Sequence, residues 1–292
     1  MSKGLLDPKV DFVFKNIFGS PNHPEILISF LNATLKAKKK IVNVDIKKTD
    51  IEKQYIEDKY SRLDVKATTS NDEIINIEIQ LKNENNMVKR SLYYLSKMYE
   101  EQLNEKEDYS KLVRTVCINI LNFKYLKTDN FHTGYRFKEI ESNEELTDIM
   151  EVHFIEIPKL QDSSDEKDML VAWTEFLKDP ESEKVRGLEL SIEEIRQAKD
   201  ELIRMSNDST QRELYDMRAN SLRDKMSELN AAERKGIEKG REEGREEGRK
   251  EGMEYLNQLN KYLLKAKRYN DLERATEDIE YQKKLLKEFG IE

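Results

Sequence analysis

Between Arg62 and Gln80 the sequence reads RLDVKATTSNDEIINIEIQ, two alternating runs around a polar break. In the first, Leu63, Val65 and Ala67 oppose Arg62, Asp64 and Lys66; in the second, Ile75, Ile77, Ile79 and Leu81 oppose Asn76, Glu78 and Gln80. A period of two marks half-buried strands, and the short polar break joins them as an antiparallel hairpin. With Asn71 at the centre of the turn, Asp64 faces Glu78, Lys66 faces Asn76 and Arg62 faces Gln80. Directly opposed Cβ atoms lie about 4.5–5.5 Å apart, where like charges repel. A positive group must offset that repulsion. Lys66 on the same face is one choice and a divalent cation is another, since two hard carboxylates, a carbonyl and water suit Mg²⁺. Strands also carry solvent-exposed acids with no ligand at all, so the pattern alone leaves a plain polar face open. A slip of two residues changes the partners but keeps both acids on the same face, whereas a slip of one would bury them.

The elements around the hairpin give the fold class. Helical spacing runs through Pro8 to Phe18 and again from Pro24 to about Lys38, and Ile41 to Lys48 alternates as a strand. Asn85 to Leu103 is an amphipathic helix with Val88, Leu92, Leu95, Met98 and Tyr99 inward. KLVRTVCINIL is too apolar and β-rich for a surface helix and reads as a central strand, with Tyr135 to Ile140 and Val152 to Ile157 as further strands. The expected class is α/β, a mixed sheet flanked by helices.

Beyond about Pro158 the composition turns helical and charged, with Asp165 to Lys178 amphipathic and Ser191 and Glu194 placed as a capping box. Glycines then recur at 236, 240, 244, 248 and 252. Each costs a helix about 1 kcal/mol relative to alanine. If helical, the repeat forms a groove for another helix; otherwise it is a solvated linker. The expected segments are 1–160, a helical extension 161–235, the repeat 236–252 and a helical tail 253–292.

Charge and cysteine content narrow the function. The chain has 51 Lys and Arg against 59 Asp and Glu, a net charge of −8, but residues 1–160 are near neutral and carry the basic cluster KAKKK at Lys36 to Lys40. That cluster suits phosphate contacts by charge or a helix end complementing its dipole. The single cysteine, Cys117, sits in an apolar run and reads as a buried inert thiol in a reducing, cytoplasmic setting. His23, His132 and His153 show no paired metal spacing. No membrane span, signal peptide, P-loop, GxGxxG or CxxC is present, so no membrane attachment or nucleotide cofactor is expected.

Four stretches together resemble the PD-(D/E)XK nuclease superfamily, in its transposase-like, recombination-promoting branch. They are DPKVDFVFKNIFG (Asp7 to Gly19), RLDVKA with INIEIQ, RSLYYLSKMYEEQL (Arg90 to Leu103) and the glycine-arginine-glutamate repeat. The resemblance implies a nuclease-like domain with a helical C-terminal extension, acting as a metal-dependent DNA endonuclease in recombination or transposition. It implies Asp64 and Glu78 as ligands of Mg²⁺ (or Mn²⁺ or Ca²⁺), with Asp11 as an acid at a second metal position. Gln80 stands where lysine is usual and cannot carry charge to polarise a water, so Lys66 is the candidate substitute. Lys15, Lys38, Lys39, Lys40, Arg90 and Tyr94 are the candidate DNA contacts. Each has a structural alternative: a first-turn acid for Asp11, core for Tyr94, a surface pair for Arg90. DNA is the expected partner, with self-association through the C-terminal helices. The alternative function is an inactive nuclease fold serving as a binding or assembly module through its arm.

Overall fold

The computed structural model describes residues 4–36, 39–47, 64–165 and 167–291. Arg62, Leu63 and Lys38 therefore lie outside the described residues. Nine helices and six strands follow in the order α1 (Asp11–Phe18), α2 (Pro24–Leu35), β1 (Val44–Lys47), β2 (Val65–Thr69), β3 (Ile74–Gln80), α3 (Met87–Glu100), β4 (Thr115–Leu121), β5 (His132–Lys138), β6 (Glu145–Glu156), α4 (Met169–Lys178), α5 (Glu183–Glu189), α6 (Glu193–Asn207), α7 (Ser209–Lys265), α8 (Tyr269–Glu277) and α9 (Ile279–Glu288), counted among the described residues.

The strands form one mixed sheet ordered β1-β2-β3-β4-β6-β5. β1, β2 and β3 are antiparallel neighbours, β3–β4–β6 run parallel, and β5 closes the far edge antiparallel to β6. The parallel β3–β4 pair needs a crossover, and α3 supplies it. β4 is buried at every position, the signature of a strand covered on both faces.

One face packs Ile75, Ile77 and Ile79 with Val116, Ile118 and Ile120 beneath Phe14, Phe18, Phe30 and Trp173 of α1, α2 and α4. The other face lies under α3, where Met87, Tyr94, Leu95 and Met98 meet Cys117, Leu121, Val152 and Phe154. Cys117 is buried, and that burial pushes its thiol pKa up. The expected α/β class with a mixed sheet is borne out.

Four local expectations need correction. On α3, Val88 and Leu92, expected inward, are exposed, while Met87, Tyr94, Leu95 and Met98 turn to the sheet. The strand expected from Val152 begins at Glu145 and pairs with β5, a ladder interrupted by register shifts between Tyr135 and Lys138. The Ser191–Glu194 capping box does not form: Ile192 is the N-cap of α6, and Ser191 Oγ donates to the Leu188 carbonyl, 3.2 Å. His132 and His153, distant in sequence, meet across β5 and β6 with ring nitrogens 2.9 Å apart, and His153 also contacts Glu151 at 2.8 Å. Arg114 ties this group to the turn of the hairpin through Glu73 and Glu151.

The chain divides into two compact units, Met1–Leu222 and Arg223–Glu292. The first holds the sheet, and its α7 residues Tyr215 and Leu222 pack against the core. The second has its own small core of Leu259, Leu263, Ala275, Leu285 and Ile291, with Tyr262 stacked on Phe289. The glycine repeat is helical within α7, and nothing lies within 4 Å of where a Cβ would stand at any of its five glycines. Among the described residues no helix is long and apolar enough to cross a membrane.

Candidate active site

The hairpin closes through Ser70, Asn71 and Asp72, with the Thr69 N–H donating to the Glu73 carbonyl (2.9 Å) and Asp72 in the left-handed region at φ 60°. Three-residue loops ending in a left-handed residue are a common way to join antiparallel strands. The ladder pairs Val65 with Ile77 and Lys66 with Asn76, which is the register expected from the sequence. One step beyond, the same register carries Asp64 opposite Glu78. Ile75, Ile77 and Ile79 of β3 fill the core on one side, so Asn76, Glu78 and Gln80 point to the other, towards α3.

Asp64 Oδ2 accepts the Ile79 backbone N–H at 2.8 Å. Although part of the residue reaches solvent, burial of its carboxyl pushes the pKa up to about 8; the Ile79 hydrogen bond opposes this, and the neighbouring charges of Glu78 and Asp11 add to it. Glu78 is 1 % exposed. Its pKa is also raised, by burial first, against the opposing pull of Arg90 and an Asn76 hydrogen bond. Arg90, in the first turns of α3, donates from Nε to Glu78 Oε2 at 3.1 Å and lies over the Tyr94 ring, 5.4 Å from its centroid. Glu78 Oε1 is buried without a hydrogen-bond partner among the described residues. On the next strand Asn119 is fixed by Ser91 of α3 (2.9 Å) and by the His153 carbonyl (3.0 Å), which completes a polar floor beneath the helix.

Asp11 opens α1. It is close enough to Asp64 to raise its pKa, yet its own Oδ2 accepts Arg218 Nη1 of α7 at 2.9 Å. Gln80 ends β3 half-buried, with its carbonyl accepting the Asn122 N–H at 2.9 Å. Lys66 shares the acid face, but its ammonium lies 3.7 Å from Glu101 at the far end of α3. Tyr94 is buried beneath α3, Lys15 is half-buried on α1, and Lys39 and Lys40 are exposed beyond α2. Lys36 pairs with Asp168, the N-cap of α4, at 3.1 Å. The structure thus gathers Asp64, Glu78, Asp11, Arg90 and Tyr94 around one end of the hairpin, and leaves Lys39 and Lys40 on a separate loop.

Two groups at the site escape sequence reasoning. Arg218 lies 207 residues from its partner Asp11, and nothing in its helical, charged surroundings marks it. Asn119 sits in an apolar strand where its parallel register with Glu78 is the only signal.

The arrangement fits a divalent ion. An uncompensated buried carboxylate oxygen is costly. Glu78 Oε1 is such an oxygen, and it stands beside a carboxyl that burial and two neighbouring acids hold protonated to about pH 8. Among the described residues no group of three or more His, Cys, Asp or Glu is placed to hold a metal ion, so the protein's own acid donors here number two. Two carboxylates match Mg²⁺, which takes few protein oxygens, better than a cation that needs six or more of them.

No curated protein and no solved structure matches the chain. A family model for the PD-(D/E)XK nuclease family transposases matches residues 8–232, a span that contains the whole sheet and every acid of the site. With that match over most of its length, the chain belongs to the PD-(D/E)XK nuclease family transposases.

Proposed function

We propose that the chain is a divalent-metal-dependent DNA endonuclease acting in recombination or transposition, with Asp64 and Glu78 holding the ion. The observation that carries this is the acid pair itself: a buried Glu78 oxygen with no partner beside an Asp64 carboxyl whose pKa is pushed up to about 8. Mg²⁺ bound there would supply a water of lowered pKa and neutralise charge on the scissile phosphate. The chain's own groups do the rest. The Ile79 N–H fixes Asp64 Oδ2, and Arg90 fixes Glu78 Oε2, so each acid presents its remaining oxygen. The Gln80 amide orients a water by hydrogen bonding without taking its proton. The exposed Lys39 and Lys40, together with Lys15, supply charge for the DNA backbone.

The test is nicking of supercoiled plasmid by the full chain in Mg²⁺, Mn²⁺, Ca²⁺ or EDTA, beside Asp64→Ala and Glu78→Ala. Metal-dependent nicking, lost in both variants while far-UV circular dichroism is unchanged, is the expected result. No nicking in any metal favours the alternative of an assembly module, in which the glycine repeat of α7 joins copies of the chain.

A further inference from the structure

The parallel strands β3, β4 and β6 end side by side at Gln80, Leu121 and Glu156. Open α/β sheets take their ligands outside such carboxyl ends. The acid pair stands at this end, with Glu78 two residues before the close of β3. The segment that follows β4 borders it. The Asn122 N–H donates to the Gln80 carbonyl at 2.9 Å. The Tyr125 hydroxyl accepts the Val88 N–H at 3.4 Å, in the first turn of α3 and two residues before Arg90. Residues 122–128 thus run from the end of β3 to the start of α3.

A buried ion pair holds this segment. Glu156 is fully buried. Its Oε1 accepts the Tyr125 and Leu126 N–H groups, the latter at 3.1 Å, and its Oε2 accepts Lys159 Nζ at 2.6 Å. The same ammonium donates to the Leu126 carbonyl at 2.8 Å and the Thr128 carbonyl at 2.6 Å, so all three of its protons are engaged. Such a pair is a weak source of stability, because desolvation offsets its attraction; here it fixes a conformation. Phe123, Tyr125 and Leu126 pack on the α3 side of the sheet, and what the segment turns to solvent is Lys124 and Lys127. Neither lysine has a partner among the described residues. Asp129, beyond the clamp, is the one acid between residues 122 and 131.

We propose that residues 122–128 form a seat for duplex DNA beside the acid pair, with Lys124 and Lys127 each meeting a backbone phosphate. The inference rests on the DNA reading above and adds the surface that places the duplex. Contacts of this kind carry no sequence information.

The experiment is binding of two fluorescently labelled duplexes of unrelated sequence to the full chain in EDTA, by anisotropy over a range of NaCl concentrations. A lysine that neutralises one phosphate contributes about 0.9 to the slope of log K against log salt. Lys124→Ala and Lys127→Ala should each lower the slope by about one and the double variant by about two, with the same loss on both duplexes. Lys106→Ala removes an exposed lysine before β4, at the other end of the sheet, and should change nothing. Slopes equal to the wild type in the Lys124 and Lys127 variants, or a loss confined to one duplex, overturn the inference and leave the DNA reading standing. An equal drop in Lys106→Ala overturns it too, since charge without position would then be at work. No binding of either duplex by the wild type overturns the DNA reading and this inference with it. Should an alanine variant fail to fold, glutamine at the same position decides by the same slope.

Discussion

Asp64 carries the clearest signature at the residue scale, and it sets a direction for pH. Its pKa is about 8 in the folded state against 3.8 for an ordinary aspartate, so between those values the folded chain binds the extra proton. Stability contributed by this residue therefore falls as pH rises through the window, by at most about 1.4 kcal/mol per pH unit. In EDTA, urea denaturation of Asp64→Asn against wild type should show no difference near pH 4 and a growing advantage for the variant towards pH 8. Mg²⁺ should reverse the order at pH 8, because an ion stabilises the ionised pair of the wild type only. Arg90 gives a second test. Removing one partner of a buried ion pair leaves the other charge uncompensated, which costs about 3–5 kcal/mol; Arg90 keeps some exposure, so Arg90→Ala should lose about 3 kcal/mol in the same assay, and Glu78→Gln/Arg90→Ala should recover part of it. The acid pair was legible because strand alternation is strict and the turn is short. The partner of each acid was not, since Arg90 was assigned to DNA and Arg218 has no local signal.

Elements were legible wherever one physical cause dominated. β4 is buried throughout because both its faces are covered, and α3 is amphipathic because only one side packs, though that side carries Met87 and Tyr94 and leaves Val88 and Leu92 exposed. The ends were less so. The capping box at Ser191 fails because the chain turns one residue later, at Ile192, where an extended φ of −122° starts α6 without a side-chain cap. The first residues of β6, from Glu145 to Ile149, bury no side chain fully, so they lack the burial pattern that betrays a strand, and they pair with β5 alone. The glycine repeat invites a direct measurement. Alanine is about 1 kcal/mol better than glycine in a helix, and no atom stands in the way of a Cβ at Gly240, Gly244 or Gly248. Replacing all three should raise helicity at 222 nm on heating and shift any separate melting of this segment upward by several degrees. A fall would mean that the glycines meet a partner helix which alanine keeps at a distance.

At the level of the molecule, the sheet and the aromatic core belong to the first unit, and the second unit buries its own leucines. A chain ending at Leu222 should therefore keep a cooperative melt and native near-ultraviolet circular dichroism from Trp173, because every residue packed around that tryptophan precedes the cut. It also keeps Arg218. Ending instead at Asp208 removes Tyr215 and Arg218 together and should lower the melting temperature by several degrees. The order of helices and strands, read from periodicity, was enough to specify the class of fold. How the start of α7 returns to the first helix was not readable, because that contact spans nearly the whole unit and is made by polar groups with no period.

Both acids of the proposed centre belong to one hairpin, whereas the helix and the central strand that bury them come later in the chain. Hairpins form in about 1–10 μs, well before a parallel sheet of this size can assemble. During synthesis the pair can thus close while still bathed in water, with ordinary acidities and both carboxylates charged. On the metal site proposed above, the emerging chain would then bind an ion before the interior that makes binding proton-linked exists. Mg²⁺ present during refolding should accordingly speed the folding phase, and not merely slow unfolding, in stopped-flow experiments on the wild type; the Asp64→Asn chain should fold at one rate with or without the ion.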